Sequence, residues 1–187
     1  MPPRARRVSV VDLAGKQNGL TWLSVSEALS ESASAGELSL QVFARSRPAS
    51  KKEIDQGSAE CVDVDEASST IACHPAAEGG PAATFKLDKV FGFQSSQQDV
   101  YEKIGVGLVS NCVQGFNTCI FAYGQTSSGK SHSMVGTKSD PGLIPRVCNG
   151  LYFCFDQLVS TPVGRDVSSV VIEASYYEIY NEKLQVS

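Results

Sequence analysis

Residues 118–134 read TCIFAYGQTSSGKSHSM. An apolar run, TCIFAY, leads into Gly124, Gln125, Thr126, Ser127, Ser128, Gly129, Lys130 and Ser131. The pattern is G-x-x-x-x-G-K-[ST]. Its glycines allow backbone angles closed to other residues and let the main chain come close to a ligand. Successive N–H groups then converge into an anion nest. A helix opening near Lys130 adds its positive end. Lys130 brings a full charge to the β/γ-phosphates of a nucleotide, and the Ser131 hydroxyl is a ligand for Mg2+. The motif requires a strand before the loop and a helix after it, and an apolar run precedes it here.

The segments on either side complete an α/β pattern. The stretch SSQQDVYEKIGVGLVSNCVQG (95–115) predicts a helix. Ser95 or Ser96 can cap it with Gln98 or Asp99 three residues on, and Gly115 stands where a left-handed stop belongs. Val100, Ile104 and Leu108 form its apolar stripe. Gly105 and Gly107 weaken it by roughly 1 kcal/mol each relative to Ala, and permit close packing. LIPRVCNGLYFCFDQLV (143–159) predicts a second helix with Pro145 in its first turn. Strands are expected at LSLQVFA (38–44), at TFKLDKVFGF ending near Gly92, at TCIFAY (118–123) and along SSVVIEASYYEIY (168–180). CVDVD (61–65) and STIACH (69–74) pair as a hairpin in a peripheral flap. TCIFAY, apolar on both faces, predicts a sheet covered on both sides. Residues 1–37, which include the Ser- and Ala-rich SVSEALSESASAG, are expected to be a mobile extension.

Composition narrows the function classes. A formal net charge of −4 offers no electrostatic basis for binding nucleic acid or an anionic membrane. No apolar run approaches the roughly 18 residues of a membrane span. The six cysteines contain no C-x-x-C pair, and buried free thiols in a reducing compartment are expected.

CIFAYGQTSSGKSHSM closely resembles the phosphate loop of kinesin motor domains, and four further segments occur in kinesin order. VFARSRP (42–48) resembles the first strand with its R-x-R-P ending. FKLDKVFGFQSSQQDVYE (85–102) resembles the second strand and first helix. GLIPRV (142–147) resembles G-I-I-P-R, and SYYEIYNEKL (175–184) resembles S-Y-x-E-I-Y-N-E. The resemblance implies an α/β P-loop NTPase fold over residues 38–187, with a central, mostly β sheet flanked by helices. It implies ATP or ADP with Mg2+ as ligand, microtubules (tubulin) as partner, and a cytoplasmic, cytoskeletal location. By position, Gly124 through Ser131 would wrap the phosphates, Arg45 and Pro48 would border the adenine, and His132 would pack against its ring. SYYEIYNE is expected to pack in the core, without a catalytic role.

The same resemblance sets limits. The family's water-positioning N-x-x-S-S-R-S-H and γ-phosphate-sensing D-L-A-G-S-E segments follow the strand represented by 168–180, and neither occurs among these residues. The segment is therefore expected to be the N-terminal part of a motor domain, its C-terminal half and main microtubule-binding elements missing and its hydrolysis doubtful. VSVVDLAGKQ (8–17) carries D-L-A-G ahead of the loop, with Lys16-Gln17 in place of Ser-Glu. Two readings stay open there: a chance match, or a displaced copy in which Asp12 approaches Mg2+ and Gly15 the γ-phosphate. A non-enzymatic interaction module is the alternative from another class. A GTPase is disfavoured by the lack of N-K-x-D.

Overall fold

A computed structural model describes residues 40–75, 80–160 and 170–186. The extension 1–37, with Asp12 and Gly15, lies outside the described residues. The chain divides into two compact units; of the described residues, those up to Leu151 belong to the larger and those from Tyr152 onward to the smaller.

In the larger unit, strand β1 (Phe43–Arg45) pairs in parallel with β5 (Lys89–Phe91), in the register Phe43↔Lys89 to Arg45↔Phe91. The β5 strand supplies the centre of the core: Val90 is fully buried and Phe91 nearly so. The predicted hairpin forms, with β2 (Val62–Asp65) antiparallel to β3 (Thr70–Cys73). Asp65 accepts hydrogen bonds from the backbone N–H groups of Ala67 and Ser68, which folds the chain over the turn.

TFKLDKVFGF is two strands rather than the single one expected. β4 (Ala83–Lys86) adds to the free edge of β3, whereas β5 joins β1. The break falls at Leu87 and Asp88, where the chain changes partners. Leu87 N–H donates to Ser69 O, and Asp88 N–H donates to Val42 O. The Asp88 carboxylate also accepts from Val42 N–H at 2.7 Å.

Pro48 is followed by a short helix, α1 (Lys51–Asp55), which the sequence reading did not anticipate. Its cause is a capping box. Ser50 Oγ accepts from Glu53 N–H at 3.3 Å, and the Glu53 carboxylate accepts from Ser50 N–H at 2.7 Å.

The long helix α2 has three parts: an α turn at Gln97–Val100, a π segment at Tyr101–Gly105 and an α run at Val106–Val113. Ser96 caps it with Asp99, as the sequence signalled. Gly115 stops it at φ 93°. The most buried line runs through Gln97, Tyr101, Gly105 and Val109, beside the stripe expected from apolar spacing. A strict four-residue stride outruns an α-helix of 3.6 residues per turn. The wider π turn, closed by i→i+5 bonds, lets that stride stay on one side. Gly105 gives the close packing expected of it, since an added Cβ would overlap the Tyr101 ring; Gly107 has open space.

The segment 118–123, expected as a covered strand, belongs to no ladder among the described residues. Phe121 is 75% exposed and Tyr123 96%. An apolar run becomes a buried strand only when neighbours satisfy both its edges and layers cover both its faces. No described strand does so here. After α3 (Lys130–Met134), the helix α4 runs over Leu143–Ser160, close to the predicted limits.

In the second unit the long strand expected over 168–180 is also shorter. Residues 170–176 are not in a strand, and only β6 (Tyr177–Tyr180) forms, paired with β7 (Lys183–Val186). Asn181 and Glu182 turn the chain at φ 48° and 59°, the two-residue geometry matched to strand twist. The expected core packing of SYYEIYNE is not found. Tyr176, Tyr177, Ile179 and Tyr180 are exposed, and the two strands of the hairpin pair with each other. All six cysteines are free, as expected, but only Cys154 is buried; burial pushes its thiol pKa up.

Candidate functional site

The phosphate loop lies between the extended segment 118–123 and α3, wholly within the larger unit. Three of its residues have left-handed backbone angles. Gly124 has φ 151°, Ser127 φ 65° and Gly129, the N-cap of α3, φ 99°. A side chain at Gly124 would meet Ser128 Oγ at 2.6 Å. The angle favours glycine there, and a side chain would also displace the Ser128 hydroxyl. At Gly129 the angle alone demands it. Both glycines of the motif therefore adopt backbone angles of the kind the sequence reading expected of them.

Lys130 turns back over the loop it follows. Its Nζ donates to Gly124 O and Gln125 O, each at 2.7 Å. The ammonium charge is thereby held above the backbone of the loop. Ser131 and His132 are both exposed on the first turn of α3. Among the described residues no group of three His, Cys, Asp or Glu side chains is placed to hold a metal ion.

The two arginines of R-x-R-P act at different places, Arg47 on the middle of the loop and Arg45 on the helix that follows it. Arg47 Nε donates to Ser127 O at 2.9 Å, pinning the loop at its positive-φ residue. Its two terminal nitrogens bind the Glu53 carboxylate at 2.7 and 2.8 Å, a bidentate fork. The Arg47 guanidinium, with Ser50, holds the Glu53 carboxyl well below the usual carboxylate range. An open cleft of about 590 Å³ lies beside this pair, bordered by Pro48, Gln56, Gln125, Thr126 and Ser127.

Arg45 is used differently. Its guanidinium donates to Gln97 Oε1 at 2.6 Å, Ser133 Oγ at 3.0 Å and Ser95 O at 2.9 Å. Burial pulls its pKa down, while the charges of Asp140 and Asp99 oppose that shift. A guanidinium stays protonated in such a setting. Gln97 then donates from Nε2 to His132 O at 2.5 Å. The adjacent Gln98 accepts from Arg146, whose Nε donates to Pro141 O at 2.8 Å. The first turn of α2 thus ties β1, α3 and the start of α4 together.

Of the residues singled out from sequence, the structure gathers Pro48 with Gln125, Thr126 and Ser127 around one cleft. Lys130 lies over Gly124 and Gln125. Arg45 sits apart, bonded to α2 and to Ser133 of α3. Asp12 and Gly15 lie outside the described residues. Sequence reading missed Gln97, Ser133 and the Arg47–Glu53 pair. The S-K-K-E of the capping box at 50–53 was the signal available for Glu53. Nothing in the sequence marks Gln97 as buried.

Comparison with known proteins agrees with this architecture. The family model described as "Kinesin motor domain" matches residues 45–185. Kinesin-like protein KIF16B of Homo sapiens is 35% identical over 163 residues, covering 79% of this chain and 12% of that protein. Kinesin-like protein KIF14 of Homo sapiens is 43% identical over 100 residues, covering 54% of this chain and 6% of that protein. StAR-related lipid transfer protein 9 of Mus musculus is 35% identical over 161 residues, covering 78% and 3%. The fold is a mixed α/β, partial P-loop architecture. The chain belongs to the kinesin motor-domain family and spans a small fraction of the length of these relatives.

Proposed function

We propose that the loop Gly124–Ser131 binds MgATP or MgADP, as the nucleotide site of a kinesin-type motor whose track is the microtubule in the cytoplasm. The observation that carries this reading is the arrangement of Lys130 over a loop bent by Gly124, Ser127 and Gly129. Loop amides and the Lys130 ammonium neutralise phosphate oxygens at close range. Ser131 supplies one hydroxyl to Mg2+. One protein oxygen is enough, because Mg2+ in such sites completes its shell with water and phosphate oxygens. Pro48, beside the cleft at 125–127, and the exposed His132 ring border the adenine. Arg45 serves as a brace behind α3, its guanidinium being engaged by Gln97, Ser133 and Ser95. Asp12 and Gly15 take no part in this reading.

For residues 1–187 by themselves we propose nucleotide binding without efficient microtubule-stimulated turnover. The segments that would position water and sense the γ-phosphate are not among them. A second reading, a non-enzymatic interaction module, draws on the exposed apolar side chains of Phe121 and Tyr123. It predicts association without nucleotide binding.

Equilibrium binding of a fluorescent ADP analogue, with Mg2+ and with excess EDTA, tests the first reading. Ser131→Ala is expected to weaken binding about tenfold in Mg2+, the scale of one charge-assisted contact. In EDTA the two proteins should bind alike. An equal loss in both conditions would remove Ser131 from the metal.

A further inference from the structure

We propose that Gln97 is a positioning residue for the phosphate loop, fixing α3 against β1 so that Lys130 and Ser131 meet the nucleotide in register. The proposal rests on the nucleotide reading above. Gln97 is only 2% exposed, although it lies in the first turn of a helix. Its amide is used at both ends, with Oε1 on Arg45 and Nε2 on His132 O. The orientation follows from those partners. A guanidinium only donates and a carbonyl only accepts, so the reversed amide would face donor to donor and acceptor to acceptor.

His132 is the residue after Ser131, the metal ligand of the proposed site. The helix that carries both has five residues, so its own backbone bonds fix its direction weakly. External anchors must do so. One is the His132 carbonyl on Gln97, and another is Ser133 Oγ on Arg45, which Gln97 itself holds. The tip of the loop is pinned from the same strand segment, by Arg47 on Ser127 O. Gln97 therefore completes a brace that runs from β1 to α3, while Arg47, just beyond β1, holds the middle of the loop. A small displacement there matters, because phosphate contacts require close alignment.

The test measures MgADP affinity by calorimetry, well below each protein's unfolding midpoint, for wild type and three variants. Gln97→Leu removes both bonds at similar size. Gln97→Glu keeps the acceptor for Arg45 and removes the donor to His132. Val109→Ala is the control: it opens the core at a buried residue that packs near Gly150 of α4. Expected dissociation constants rise roughly tenfold for Gln97→Leu and about threefold for Gln97→Glu, the scale of one to two lost hydrogen bonds. Val109→Ala is expected to lower the unfolding temperature and leave affinity within about twofold. Gln97→Leu binding like wild type would overturn the proposal. So would an equal loss of affinity in Val109→Ala, or loss of the fold in both Gln97 variants, which would make the residue purely structural. Wild-type protein that binds no MgADP would instead overturn the nucleotide reading, and this role with it.

Discussion

Single residues on the loop and its supports divide into those that shape the backbone and those that carry charge. Gly124 and Gly129 were legible from spacing alone, because the motif demands their angles whatever the rest of the chain does. Lys130 and Ser131 were marked by the same motif; the structure places the Lys130 ammonium over the loop and Ser131 on the first turn of α3. Gln97 was not, since an amide beside a helix cap is ordinarily solvated, and its burial depends on Arg45, 52 residues away. The Arg47–Glu53 fork yields a prediction at this scale. The carboxyl is held ionised by its partner, so its pKa in the folded state lies below the unfolded value of about 4.3. Such a group stabilises the fold above the unfolded value and loses that contribution as pH falls toward the folded one. The difference in unfolding temperature between wild type and Glu53→Gln should be largest near neutrality and shrink below about pH 4.3. Thermal scans across that range measure it, and a difference that grows on acidification would contradict the assignment.

At the scale of elements, helices were read more faithfully than strands. The capping box at Ser96 and the stop at Gly115 are local devices, and both ends of α2 fell where they indicated. Strands need partners, and partners are not local. TFKLDKVFGF was split by competition between β3 and β1 for its two halves, a choice that no property of the stretch itself reveals. TCIFAY and 170–176 have strand-like residues and no ladder among the described residues. The π segment in α2 was also illegible, because it depends on the Tyr101 ring packing beside Gly105 and near Gly150. It separates two glycines that look alike in sequence. Gly105→Ala would drive a methyl into the Tyr101 ring and should cost about 1–3 kcal/mol. Gly107→Ala meets open space on an exposed position, and should stabilise by up to about 1 kcal/mol. Chemical denaturation of the two variants gives the comparison, and equal signs would show that Gly105 is not held by packing.

At the largest scale, the elements of the larger unit are tied together by α2. Its inward face meets the β1–β5 pair through Arg45, the phosphate-loop helix through His132 O, and α4 through Gln98 and Arg146. The family and its α/β class were readable from five motifs in order, and the match over 45–185 agrees with them. What those motifs could not convey was which element braces which, since that follows from side chains meeting across large separations in sequence. The phosphate loop is held at Ser127 by Arg47, and the helix that follows it is held by Arg45 and Gln97; the claim built on that geometry is nucleotide binding. Titration calorimetry of MgADP into wild type and Lys130→Ala tests that claim most directly. Wild type is expected to show saturable one-to-one binding and Lys130→Ala to lose detectable heat, with unfolding temperatures alike. Folded wild-type protein that takes up no MgADP, or a Lys130→Ala variant that binds it equally well, would contradict it.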